Sequence, residues 1–254
     1  MKDGFEKNKK KLQGKKLLVL GGAAQHCKLV EAAKELGITV YVADYLDPSH
    51  SPAKLLADKH YIYNITDYDK LCELCDNEGI DGIISTSLDA CQRPYQILCE
   101  KLNKPCFGTA EQYKILTDKN LFKEYCRKNG VDVIPEYKLQ DFSDQITCNN
   151  TVEFPILIKP CDSRGSRGQS ICNNFEEAKA AIEFAKKESS NGEIVIEKYM
   201  GQNNDFSMTI IVINGKVYPY RTVDRILGTY EDGLDKLAVG SCMPSVFTDI
   251  YMNN

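Results

Sequence analysis

The chain has 254 residues, 43% of them hydrophobic and 27% charged, with a formal net charge of -4. That length allows one large or two modest domains, each able to bury a core, and the apolar content excludes whole-chain disorder. Mild acidity argues against a nucleic-acid partner, because phosphate backbones reward concentrated positive charge, and no apolar stretch reaches the length of a membrane span.

The one dense basic run, Lys7, Lys9, Lys10 and Lys11 with Lys15 and Lys16 just after, reads as a solvated tail over residues 1–14 rather than a nucleic-acid arm. The N-terminus lacks the apolar core of a secretory signal, and the eleven cysteines then read as reduced thiols of a cytoplasmic protein. The tightest pair, Cys72 and Cys75, falls in a helical pattern with no second pair to complete a zinc site.

The run 16–20 is a short apolar strand stopped by Gly21-Gly22. Leu29, Val30, Ala32, Ala33 and Leu36 recur at helical spacing and Gly37 ends that helix. Residues 38–42, β-branched and aromatic, form a second strand. A helix over 68–78 is stopped by Gly79, a strand follows at 82–86, and a helix at 93–102. Strands alternating with helices imply parallel βαβ units and a doubly wound sheet over 15–108. Gly21-Gly22 with Asp44 closing the second strand invites a dinucleotide reading. That fingerprint wants three glycines, and the third is missing. His26 is either a surface helix residue or a substrate contact.

From 109 onwards the order changes. One helix is expected over 111–129, with Leu116, Leu121, Phe122 and Tyr125 in the core, and a polar connector over 141–151. Strands are expected at 137–139, 154–159, 169–172, 193–198, 206–213 and 216–220. A helix over 176–187 is capped upstream by Asn174, and Asn214-Gly215 is a strong hairpin turn. This order signals a second, α+β domain.

Lys159 ends an apolar strand and roots the loop Cys161-Asp162-Ser163-Arg164-Gly165-Ser166-Arg167-Gly168. Small residues there leave room for backbone N–H groups to face a phosphate, and the lysine adds a point charge. A plain hairpin turn with solvated charges is the alternative. The strand at 194–198 runs into a polar-apolar stretch that can offer backbone and apolar contacts to a base. Lys119 is a third basic residue near a helix start.

Taken in order, Thr117-Asp118-Lys119, Ile158-Lys159-Pro160 with its Gly/Ser loop, and Val195-Ile196-Glu197-Lys198-Tyr199 with Gly201 and Asp205 resemble the ATP-grasp superfamily. Among its members, the likeness is to carbamoyl-phosphate-synthase-like and biotin-carboxylase-like ligases. The resemblance implies a pre-ATP-grasp domain over 15–108 and an ATP-grasp domain over 109–254, with a lid subdomain at about 119–195 and the start of a C-terminal lobe. It implies that Lys119 and Lys159 hold ATP phosphates, that Ser163, Gly165, Ser166 and Gly168 belong to a mobile phosphate-covering loop, and that Glu197, Lys198, Tyr199 and Met200 border adenine. Asp205 stands where the family carries an acid for the ribose, and Arg221, Asp224 and Arg225 would face substrate. The implied chemistry is activation of a carboxylate or bicarbonate by ATP and Mg2+ as an acyl phosphate, attacked by an amine; the resemblance is also compatible with a homodimer. The family's metal acids have no evident counterparts before Asn254, since Glu231, Asp232, Asp235 and Asp249 lie in turn-like context. The expectation is therefore a chain cut short inside its catalytic domain and inactive alone, with its magnesium ligands beyond residue 254. A non-catalytic nucleotide-binding module is the alternative, and a nicotinamide-dependent dehydrogenase a distant third.

Overall fold

A computed structural model of the chain describes residues 9–86, 88–162, 168–201, 206–228 and 238–252. It divides into two units, one ending at Leu116 and the other beginning at Thr117.

Unit 1 is built on four parallel strands, β1 (Lys16–Leu20), β2 (Thr39–Asp44), β3 (Lys59–Ile62) and β4 (Gly82–Ile84), in the order β3-β2-β1-β4. Helices α1 (Ala24–Glu35), α2 (Pro52–Leu56), α3 (Tyr68–Glu78) and α4 (Asp89–Lys101) connect and follow them. Side chains alternate across a strand, so Val19, Val40 and Val42 pack with Val30 and Ala33 of α1 and Ala53 of α2. Leu18, Leu20, Tyr41 and Ala43 face the other way, onto Leu71 and Leu74 of α3 and Tyr95 and Leu98 of α4. Helices thus cover both faces, the doubly wound arrangement that the alternating pattern led one to expect. Helix α5 (Ala110–Thr117) places Tyr113 in this same core, its ring 6.5 Å from that of Tyr95. That packing is why the division falls at 116/117 rather than after residue 108.

In unit 2, the helix expected over 111–129 is two helices, because Asp118 adopts φ -106 and ψ 119 and caps α6 (Lys119–Lys128) through the amides of Asn120 and Leu121. Leu116, Phe122 and Tyr125, expected in the core, are exposed. The stretch 137–139 forms no strand: Glu136 makes an isolated bridge with Glu197, and Leu139–Phe142 is a 3-10 turn. The expected connector contains helix α7 (Gln145–Thr151), capped by Asp144 and anchored by buried Cys148.

Strands β5 (Ile156–Pro160), β6 (Ser170–Cys172) and β7 (Ile194–Lys198) form an antiparallel sheet in the order β6-β5-β7. Helix α8 (Phe175–Glu188), capped by Asn174, covers one face with Ala178, Ala181, Ile182 and Ala185 against Ile156, Ile158 and Ile196. A second antiparallel sheet has the order β10-β9-β8, from β8 (Phe206–Ile213), β9 (Lys216–Leu227) and β10 (Ala238–Cys242). The β8–β9 turn is Asn214-Gly215, with φ of 51° and 75°, the left-handed pair that a two-residue hairpin needs. A short helix, α9 (Thr248–Met252), follows. Among the described residues no helix is long and apolar enough to cross a membrane.

Candidate functional site

The β5–β7 sheet of unit 2 carries its chemistry on the face away from α8. Ile158 and Ile196, directly paired, point into the core. The period of two therefore sends Lys159 and Glu197 to the opposite face. There Glu197 is only 2% exposed, and a carboxylate that deep needs cations. It has two: Lys159 Nζ donates to its Oε1, and Lys123 Nζ of α6 donates to its Oε2 at 2.6 Å. Lys123 also reaches Glu136 Oε1 at 2.9 Å, and Glu136 Oε2 accepts from Arg127. Burial pushes the Glu197 carboxyl up, but the two lysines outweigh it and hold it below its ordinary value. Glu136 behaves alike, raised by burial and pulled down further by Lys123 and Arg127.

Lys119, the first residue of α6, completes the cationic side. Its Nζ donates to the Cys161 carbonyl at 2.7 Å. Burial and the neighbouring Lys159 charge both lower its pKa, so Lys119 and Lys159 repel one another in a partly desolvated place. Such a pair favours an anion between or beside them. Gly168, at the far root of the loop, has φ +72, and an added Cβ would lie 2.8 Å from Glu188 Cβ and from Pro160 Cγ. Ser163, Gly165, Ser166 and Asp205, singled out above, lie outside the described residues, as do Glu231, Asp232 and Asp235.

The rest of the stretch expected to border adenine is less enclosed. Lys198 pairs with Glu153 at 2.8 Å, and its amide donates to the Pro135 carbonyl. The Tyr199 amide donates to the Pro155 carbonyl, and Met200 is exposed. On β9, Arg221 and Arg225 line a groove of about 470 Å³ with Ser207, Val223 and Ser241. Asp224 does not join them. One residue out of phase, its carboxylate accepts from Ser245 Oγ at 2.5 Å and from the Val246 amide at 2.9 Å, tying down the turn before α9.

Unit 1 corrects one further expectation. His26 is no surface residue: its ring is fully buried, with Nε2 3.3 Å from Thr86 Oγ1, and burial lowers its pKa. It packs against Gly21, whose added Cβ would stand 2.7 Å from the imidazole.

The family described as carbamoyl-phosphate synthase L chain, ATP binding domain, matches residues 118–214, which hold Lys119, Lys123, Glu136, Lys159 and Glu197. A formate-dependent phosphoribosylglycinamide formyltransferase from Methanocaldococcus jannaschii is 26% identical over 202 residues, covering 77% of this chain and 50% of its own. The 2-oxoglutarate carboxylase small subunit from Hydrogenobacter thermophilus is 26% identical, covering 73% of this chain and 42% of its own. Among solved structures, N5-carboxyaminoimidazole synthetase from Staphylococcus aureus complexed with ADP has a TM-score of 0.75 at 18% identity, over 95% of this chain and 61% of that one. The biotin carboxylase domain of the Hydrogenobacter thermophilus enzyme, in complex with MgADP, ADP and bicarbonate, has a TM-score of 0.70 at 23% identity, over 85% of this chain and 51% of that one. The fold is that of the ATP-grasp ligases, and over residues 118–214 the family match agrees with the resemblance read from the motifs. The chain spans about half the length of the curated relatives it matches.

Proposed function

We propose that unit 2 binds the phosphates of ATP with Lys119 and Lys159 and the adenosine end along Glu197 to Met200, in the service of ATP-dependent carboxylate–amine ligation. The observation that carries this reading is the convergence of Lys159 and Lys123 on a buried Glu197, with Lys119 near enough to Lys159 to feel its charge. The lysines would neutralise phosphate charge and hold the terminal phosphoryl group in line with a carboxylate, which supply most of the help in phosphoryl transfer. An amine would then attack the acyl phosphate. Arg221 and Arg225, with serines beside them, suit the carboxylate of a small substrate. Asp224, engaged with Ser245 and Val246, is left out of that role. Among the described residues no three His, Cys, Asp or Glu side chains gather as a metal site; they supply no carboxylate set for magnesium, and the proposal rests on the cations.

Calorimetric titration with ATP and ADP tests the reading. Wild type is expected to bind both, and Lys159→Ala and Glu197→Ala each to weaken binding by about ten-fold or more, the worth of a charge-assisted hydrogen bond. Absence of adenine-nucleotide binding by folded protein, or tighter binding of NAD than of ATP, would overturn it.

A further inference from the structure

We propose that Lys123 is the resident counterion of Glu197, the group that lets Lys159 leave that carboxylate for a nucleotide phosphate without stranding a bare buried charge. The inference rests on the nucleotide reading above and adds a positioning residue to it. Lys123 stands one helical turn after Lys119 on α6, so both present their amines on the same face. The two oxygens of Glu197 are divided between two cations, Oε1 to Lys159 and Oε2 to Lys123 at 2.6 Å. The two lysines are not equivalent. Lys123 is 12% exposed and held from its other side by Glu136 at 2.9 Å, whereas Lys159 is 21% exposed. Lys159 also lies close enough to Lys119 for Lys119 to feel its charge. A phosphate arriving there relieves that repulsion and draws Lys159 away, while nothing draws Lys123 from its two acids.

Glu197 is bonded to two cations, and one of them is shared with a second acid. Lys123 comes from α6, Lys159 from β5, and Glu136 from the segment bridged to β7, itself neutralised by Arg127. With Lys123 present, Glu197 stays ionised before and after Lys159 moves. With Lys123 replaced by a neutral side chain, the nucleotide removes the one remaining cation. The carboxylate, deep in a poorly solvated place, then accepts a proton from the buffer and becomes the neutral acid. Its pKa is higher with nucleotide bound than without, so binding takes up a proton and affinity rises as pH falls through the bound-state value.

The test is titration of ADP over a series of mildly acidic to neutral pH values, in two buffers of different ionisation heat. Lys123→Met should bind about ten-fold more weakly than wild type and take up a clear fraction of a proton beyond the wild-type count. Lys123→Arg should restore both values, and Glu136→Gln, which leaves Lys123 wholly to Glu197, should show no extra uptake. If Lys123→Met does not fold, Lys123→Gln, a donor without the charge, is read in the same way. Wild-type affinity and proton count in the neutral variant overturn the proposal, and so does weakened binding with no change in proton count, the mark of a merely structural lysine. Failure of the wild type to bind ADP refutes the nucleotide reading and this proposal with it.

Discussion

At Gly22 the fold leaves no room for a side chain. An added Cβ would lie 1.8 Å from Ser51 Oγ and 2.5 Å from Asp44 Oδ2. Those two groups cannot easily yield. Ser51 is buried and donates to Asp44 at 2.8 Å, and Asp44 pairs at 2.7 Å with Lys54, whose side chain is fully buried and also bonded to the Asp44 carbonyl. The glycine pair after β1 therefore serves a buried polar lock at the carboxyl ends of β1 and β2, with no third glycine required. Gly22→Ala should cost about 1–3 kcal/mol, the usual penalty of overpacking a rigid site. Urea unfolding checks it, and a change within about 0.5 kcal/mol would show that the lock can shift.

Among the elements, those with strong end signals were legible in the residues. The helix over 68–78 shows a 3.6-residue apolar stripe with Gly79 behind it, and Gly79 takes the left-handed cap, φ 65°. Asn174 was readable as a cap, and Asn214-Gly215 as a turn. Helix α7 was hidden because Gln145-Ile146-Thr147-Cys148-Asn149-Asn150-Thr151 is poor in helix formers. Only Asp144, bonded to the Thr147 amide at 2.8 Å, marked its start. For the site, Lys119, Lys159 and Glu197 were legible as motif residues, but Lys123 and Glu136 were not. Lys123 had a local signal, its spacing of four from Lys119. Its meaning depends on a bridge between Glu136 and Glu197, sixty-one positions apart in the chain, which no local pattern reports. The caps offer a paired test. Removing the cap of α8 by Asn174→Ala or of α6 by Asp118→Ala should each cost about 1 kcal/mol of unfolding free energy. Only the second should also weaken ADP binding, because α6 carries Lys119 and Lys123. Equal loss of binding in both variants would show that the site responds to stability at large.

On the scale of the whole molecule, the decisive feature is that the buried side chains fall into separate cores. Those around Leu71 and Val30 lie in unit 1 and that around Ile156 in unit 2. The nucleotide-binding groups proposed above belong to unit 2 alone. A unit with its own core is able to unfold as its own cooperative block, and a ligand that binds only the folded form of one block stabilises that block by mass action. Calorimetric melting is therefore expected to resolve two transitions. ADP at about a hundred times its dissociation constant should add about 2.7 kcal/mol to one of them, a rise on the order of 10 °C for a unit of this size. Substitutions assign the peaks. Leu71→Ala, a large-to-small change in the unit 1 core worth about 2–5 kcal/mol, should lower the transition that ADP leaves in place. Ile156→Ala should lower the one that ADP raises. Lys159→Ala should abolish most of the ADP-dependent rise, while Lys123 still pairs with the buried Glu197 in its absence. A single transition, lowered alike by both core substitutions and raised as a whole by ADP, would mean that the two units fold as one block and that the site draws on the stability of the entire chain.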